Sequence, residues 1–155
     1  MSMKIISGGQ TGVDRAALDT AISLGFEYGG SVPKGRKAED GPIDERYDKL
    51  TELDSDNYKV RTEKNVLDAD ATIVFTSGKP TGGTYYTLKC LKKHKKEYLL
   101  IDIKDKTDDE IIATIIHWLS LNKPGVLNIA GPRESKCPGI YRRVSSILKE
   151  VLNAL

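Results

Sequence analysis

Two short glycine stretches hold the residues best suited to grip an anion. Ser7-Gly8-Gly9-Gln10-Thr11-Gly12 and Gly82-Gly83-Thr84 each lie where an apolar strand pattern hands over to a helical one. Residues without side chains let backbone N–H groups approach a ligand closely, and the following helix adds the positive end of its dipole. One such stretch alone would serve equally well as a tight turn, whereas two facing a single crevice would suit a phosphate-bearing ligand. Counter-charge is available elsewhere. Pro33-Lys34-Gly35-Arg36-Lys37-Ala38-Glu39-Asp40-Gly41 sets three cations before two acids, and Lys34 or Arg36 could close over a bound anion. Arg61 opens the helical segment Arg61-Thr62-Glu63, and Asn128 stands amid apolar neighbours ahead of Gly131-Pro132-Arg133-Glu134-Ser135. A polar group at a buried strand end needs partners, which marks Asn128, Arg133 and Ser135 as candidates. Asp14 falls in a first helical turn, where a carboxylate complements the dipole and a structural part is the simpler reading.

The elements that must position these residues follow a strand-loop-helix rhythm. Lys4–Ser7 is a β-branched run, followed across the first glycine stretch by Val13, Ala17, Ala21 and Leu24 at helical spacing, with Gly25 as the stop signal. Strands are expected again at 71–76, 98–103 and 126–130, with helices from about Tyr85 to His94, after Thr107, and near Gly139 to Leu152. Thr107-Asp108-Asp109-Glu110 has the spacing of a capping box. Apolar strands alternating with helices indicate a doubly wound, Rossmann-like α/β fold, a parallel sheet with helices on both faces. Between the first helix and the strand at Ala71, residues 29–59 read as a polar excursion over the carboxyl edge of the sheet, too polar to own a core.

The bulk properties narrow the function. At 155 residues the chain is expected to form one domain spanning 1–155, with a core that needs neither a structural metal nor a disulfide. With 24 basic and 22 acidic residues the net charge is +2, too small to argue for nucleic acid, so any anion site is local. No leader pattern opens the sequence and no apolar run approaches the ~20 residues of a spanning helix, so a cytoplasmic protein without membrane contact is expected. The fingerprint G-x-G-x-x-G and the Walker pattern are both absent, which weakens dinucleotide and Walker-type ATP readings. The lysines around 89–96 read as a solvated helix end. His94 and His117 have no partner at metal-ligand spacing, and no metal site is expected.

Taken together and in order, Ser7-Gly8-Gly9-Gln10-Thr11-Gly12-Val13-Asp14-Arg15, Pro33-Lys34-Gly35-Arg36, Arg61-Thr62-Glu63-x-Asn65, Gly82-Gly83-Thr84 and Asn128-x-Ala130-Gly131-Pro132-Arg133-Glu134-Ser135 resemble the molybdenum cofactor carrier family, over about residues 4–150. That family is related to lysine-decarboxylase-like nucleotide-binding proteins. The resemblance implies a non-catalytic, homo-oligomeric binding protein, a dimer or tetramer, whose carried ligand is the molybdenum cofactor, molybdopterin. This is a pterin with a terminal phosphate, chemically suited to helix N-termini and cationic side chains. Phosphoribohydrolases of the same wider group, which release a base from a nucleoside 5′-monophosphate, supply an enzymatic alternative. Their pattern carries an acid just after the glycine loop, whereas Gly82-Gly83-Thr84 is followed by Tyr85-Tyr86-Thr87. A nucleotide or ADP-ribose sensor is the remaining alternative.

Overall fold

The computed structural model of the chain describes residues 3–155. In chain order its elements are β1 (Lys4–Ile6), α1 (Val13–Leu24), β2 (Glu27–Gly29), β3 (Ser31–Val32), β4 (Thr51–Glu52), α2 (Tyr58–Asp68), β5 (Ala71–Thr76), α3 (Gly82–Lys93), β6 (Glu97–Asp102), α4 (Asp108–Asn122), β7 (Val126–Ala130) and α5 (Ile140–Asn153), with one 3-10 turn at Lys34–Arg36. Five strands pair in parallel in the order β2-β1-β7-β5-β6. The chain steps outward from β1 to β2, returns through α2 to β5, extends to β6, and comes back through α4 to insert β7 between β1 and β5. The reversal leaves a crevice beyond the carboxyl ends of β1, β7 and β5, the position at which such sheets bind ligands.

Alternation along β5 shows why the sheet is covered twice. Ala71, Ile73 and Phe75 face a core shared with Val13 and Ala17 of α1, Ile111 and Ile115 of α4, and Val144 and Leu148 of α5. Val74 faces the other way, into a cluster with Val66 of α2 and Leu88 and Leu91 of α3. Both faces are dry, so an uninterrupted apolar run is the stable choice for the strand. Gly25 ends α1 in the left-handed conformation, its N–H directed to the carbonyls of Ala21 and Ile22. Thr107 and Glu110 close the capping box of α4 in both directions.

The structure departs from the sequence-based expectations in three places. Helix α3 begins at Gly82, three residues before the expected start, so Gly82-Gly83-Thr84 are the first turn of the helix rather than a loop ahead of it. Glu27–Gly29 adds an edge strand that carries no apolar run, because only one side of it meets the sheet. The excursion is also more ordered than its polarity suggests. β3 and β4 pair within it, and Val32, Ala38, Ile43 and Tyr47 close a small cluster on Leu18 of α1.

Candidate functional site

The crevice is a cleft of about 690 Å³ floored by the ends of β5 and β7 and walled by the starts of α2 and α3. The start of α3 gives it its chemistry. Thr81, the residue ahead of the helix, makes no capping bond and the first turn contains no acid. The first bond into the helix is Tyr85 N–H to the Thr81 carbonyl. The N–H groups of Gly82, Gly83 and Thr84 therefore meet no acceptor among the described residues, and they lie at the positive end of a helix dipole. Thr84 is only 7% exposed, yet its hydroxyl likewise has no partner among the described residues. The Lys136 ammonium comes so close to Gly82 that an added Cβ would stand 2.8 Å from it.

The other glycine stretch is built differently. Arg61 reaches under it from α2, donating to the Gly8 carbonyl and to Asp14 Oδ2, each at 3.2 Å. A Cβ on Gly8 would lie 1.9 Å from that guanidinium, which is why this position takes no side chain. Asp14 Oδ2 also accepts the Gln10 N–H at 3.3 Å, while the N–H groups of Val13 and Arg15 go to the Pro132 and Gln10 carbonyls. The positive end of α1 is thus occupied by the chain itself. Burial pushes the Asp14 carboxyl above its ordinary range, against the pull of Arg61.

Of the residues singled out from the sequence, Gly8, Gln10, Arg61, Gly82, Gly83, Thr84, Asn128 and Arg133 line the cleft. Six do not. Gly9 sits beneath Ile43 and Val32, where it lets the excursion approach the sheet. Thr11 and Gly12 open onto a separate hollow on the far side of the β7–α5 loop. The Arg36 guanidinium is consumed by the carbonyls of Ile43, Asp44 and Tyr47 at 2.8–3.1 Å and so folds the excursion instead of facing the cleft. Lys34, in the same turn, is exposed outside the lining. Ser135 donates through its N–H and hydroxyl to Glu39, which also accepts the Thr11 hydroxyl. These bonds, the Ser135 hydroxyl first, hold the Glu39 carboxyl below its ordinary range.

The cations that do line the cleft are Lys37, Lys59, Arg61, Lys79, Arg133 and Lys136, against the carboxylates Asp14 and Asp56. Three of these lysines, 59, 79 and 136, carry no signal in the sequence, because isolated lysines look the same on any surface, whereas Lys37 belongs to the cationic loop read there. Two aromatic walls join them: Lys37 Nζ stands 4.6 Å from the Tyr58 ring centre and Lys59 Nζ 5.3 Å from that of Tyr86. An almost neutral molecule therefore concentrates positive charge at one place. Among the described residues no group of three or more His, Cys, Asp or Glu side chains is arranged to hold a metal ion, and no helix is long and apolar enough to cross a membrane.

A doubly wound sheet with a cationic, amide-lined cleft at its switch point defines a Rossmann-like α/β protein with a candidate ligand site. More narrowly, the chain belongs to the circularly permuted YpsA SLOG family, whose sequence profile matches residues 5–152. A crystal structure from Syntrophus aciditrophicus SB, named "Putative molybdenum carrier protein", superimposes with a TM-score of 0.94 at 45% identity, covering 97% of this chain and 95% of that one. No protein of curated function matches this sequence.

Proposed function

We propose that this protein is a carrier that holds a phosphorylated small molecule in the cleft, with the molybdenum cofactor as its cargo. The observation that carries the reading is the set of free N–H groups at Gly82–Thr84, opening into a cleft with six cations against two carboxylates. A terminal phosphate would take the three amides and the Lys136 ammonium, an arrangement that satisfies helix-end donors with a full negative charge. Tyr58 and Tyr86 add aromatic surface beside the cations, and about 690 Å³ is an ordinary volume for a cofactor-sized guest. The name of the Syntrophus relative, a molybdenum carrier, supports the carrier part of this reading.

The test is native mass spectrometry of the protein purified from its own host, followed by denaturing release of the bound compound. A molybdopterin mass is expected, and the intact spectrum also reads the homo-oligomer implied by the resemblance. A nucleotide mass would overturn the cargo assignment.

One observation favours the phosphoribohydrolase as a second reading. Asp14 supplies the cleft with a carboxylate that the α3 turn lacks. Release of free base from AMP or GMP, lost on substituting Asp14, would establish it; its absence would remove it.

A further inference from the structure

Beside the anion-binding turn, the floor of the cleft carries a second set of groups, neutral or acidic, whose bonds are left half made. Asp14 is 5% exposed and lines the cleft, yet both of its donors, Gln10 N–H and Arg61, go to Oδ2. Oδ1 has no partner among the described residues. Asn128 is 3% exposed on β7; its amide nitrogen donates to Thr72 Oγ1 at 3.3 Å, and its carbonyl oxygen has no donor among the described residues. Gln10 is the mirror case. Its oxygen accepts from Thr11 and Glu39 N–H groups, and its amide nitrogen has no acceptor among the described residues. None of these three atoms is sealed off, so two acceptors and one donor, on side chains no more than 7% exposed, open together onto one floor where a ligand can complete their bonds. Arg61 spends its Nε on the Tyr58 carbonyl and its Nη1 on the Gly8 carbonyl and Asp14 Oδ2, and donates nothing to Oδ1.

We infer that this floor is a second subsite, which selects phosphate esters whose other end carries N–H or O–H donors directed at Asp14 Oδ1 and the Asn128 carbonyl. The inference rests on the proposed anion site at Gly82–Thr84 and adds what the remainder of the ligand must look like. An alkyl phosphate would fill the anion turn and leave the floor unsatisfied. A sugar hydroxyl pair or an amino-oxo ring edge would satisfy it. A site built to pair polar groups discriminates strongly against a ligand that lacks them, since its own groups are then stranded.

Calorimetric titration of the full chain with methyl phosphate, ribose 5-phosphate and GMP tests this. Ribose 5-phosphate, GMP or both are expected to bind about tenfold or more tightly than methyl phosphate. A gain with ribose 5-phosphate assigns the floor to hydroxyls; a gain confined to GMP assigns it to the ring edge. In Asn128→Leu and Asp14→Asn the ratio of affinities over methyl phosphate falls at least threefold. Asn128→Leu decides if Asp14→Asn, which strips Arg61 of its counter-charge, does not fold, and the wild-type ratios stand by themselves if neither variant does. Equal affinities for all three esters, or a gain that survives the substitutions, overturns the second subsite. If methyl phosphate itself does not bind, the anion site fails and not merely the floor.

Discussion

The starts of α1 and α3 are alike in sequence, each a glycine stretch after an apolar strand, and opposite in structure. At α1 the chain supplies acceptors of its own: Asp14 takes the Gln10 N–H, Pro132 takes that of Val13, the Gln10 carbonyl takes that of Arg15, and Arg61 locks the loop from below. At α3 no acceptor among the described residues answers, and the amides of Gly82–Thr84 line the cleft. The remaining helices resemble α1, with Asn57 capping α2, the Thr107–Glu110 box on α4, and the Glu134 carboxylate accepting the Gly139 and Tyr141 N–H groups at the start of α5. The lesson is that a glycine turn before a helix marks a ligand site only where the surrounding structure withholds its own acceptors.

The largest break in this contrast is expected at Gly12. Its φ of 78° and a would-be Cβ 2.4 Å from the Pro132 carbonyl leave no room for a side chain. Gly12→Ala should cost roughly 4 kcal/mol or more, read as a lower urea midpoint. Arg61→Met, which strands the buried Asp14 carboxylate, is expected to cost about 3–5 kcal/mol by the same measurement.

Glu39 ties the closed side to the β7–α5 loop, and Glu39→Gln should lose about 1 kcal/mol at neutral pH. The sign of its pH dependence is fixed by its depressed carboxyl. The folded protein holds the charge more strongly than the unfolded chain, so this stabilisation is complete above the ordinary value of 4.5 and is lost as pH falls through the lowered one. Acid titration of the variant should therefore show a shallower loss of stability below that pH than the wild type.

Converting the open turn into a closed one is the sharpest test of the comparison. Thr81→Asp gives α3 the capping carboxylate it lacks and is expected to raise stability by about 0.5–1 kcal/mol while weakening inorganic phosphate binding. A variant that gains stability and binds phosphate as before would show that the turn is not the anion site. The smallest effect on the fold belongs to Gly83→Leu. An added Cβ there meets nothing within 4 Å, so thermal melting should shift by less than the equivalent of about 1 kcal/mol, while the phosphate-induced shift disappears. An undiminished ligand-induced shift would count against the proposal.

Much of the architecture is legible in the amino-acid sequence. The apolar runs at 71–76 and 126–130, the stop at Gly25 and the Thr107 box carry local signals strong enough to define elements and the α/β class. β2 is not legible, because an edge strand buried on one side needs no apolar run, and neither is the cluster of Val32, Ile43 and Tyr47, whose members are spaced too irregularly to form a pattern. Within the site, the glycines, Arg61, Asn128 and Arg133 carry a signal, since such residues in buried turns and strand ends require an explanation. Lys136 and Lys79 carry none. Arg36 illustrates the converse, a cation in a promising loop that three backbone carbonyls claim for folding.

What the sequence by itself determined is the set of local structures: which residues form strands and helices, where the turns fall, and that the sheet is parallel. Those follow from side-chain periodicity and backbone preference, which act over a few residues at a time. Which glycine turn remains open, which cations face the cleft and which carboxylate lies on its floor were decided only when β7 inserted between β1 and β5 and α2 brought Arg61 to Asp14. Hydrogen bonds and ion pairs between residues 47 or more positions apart have no local signature, because their partners meet only once the chain has folded.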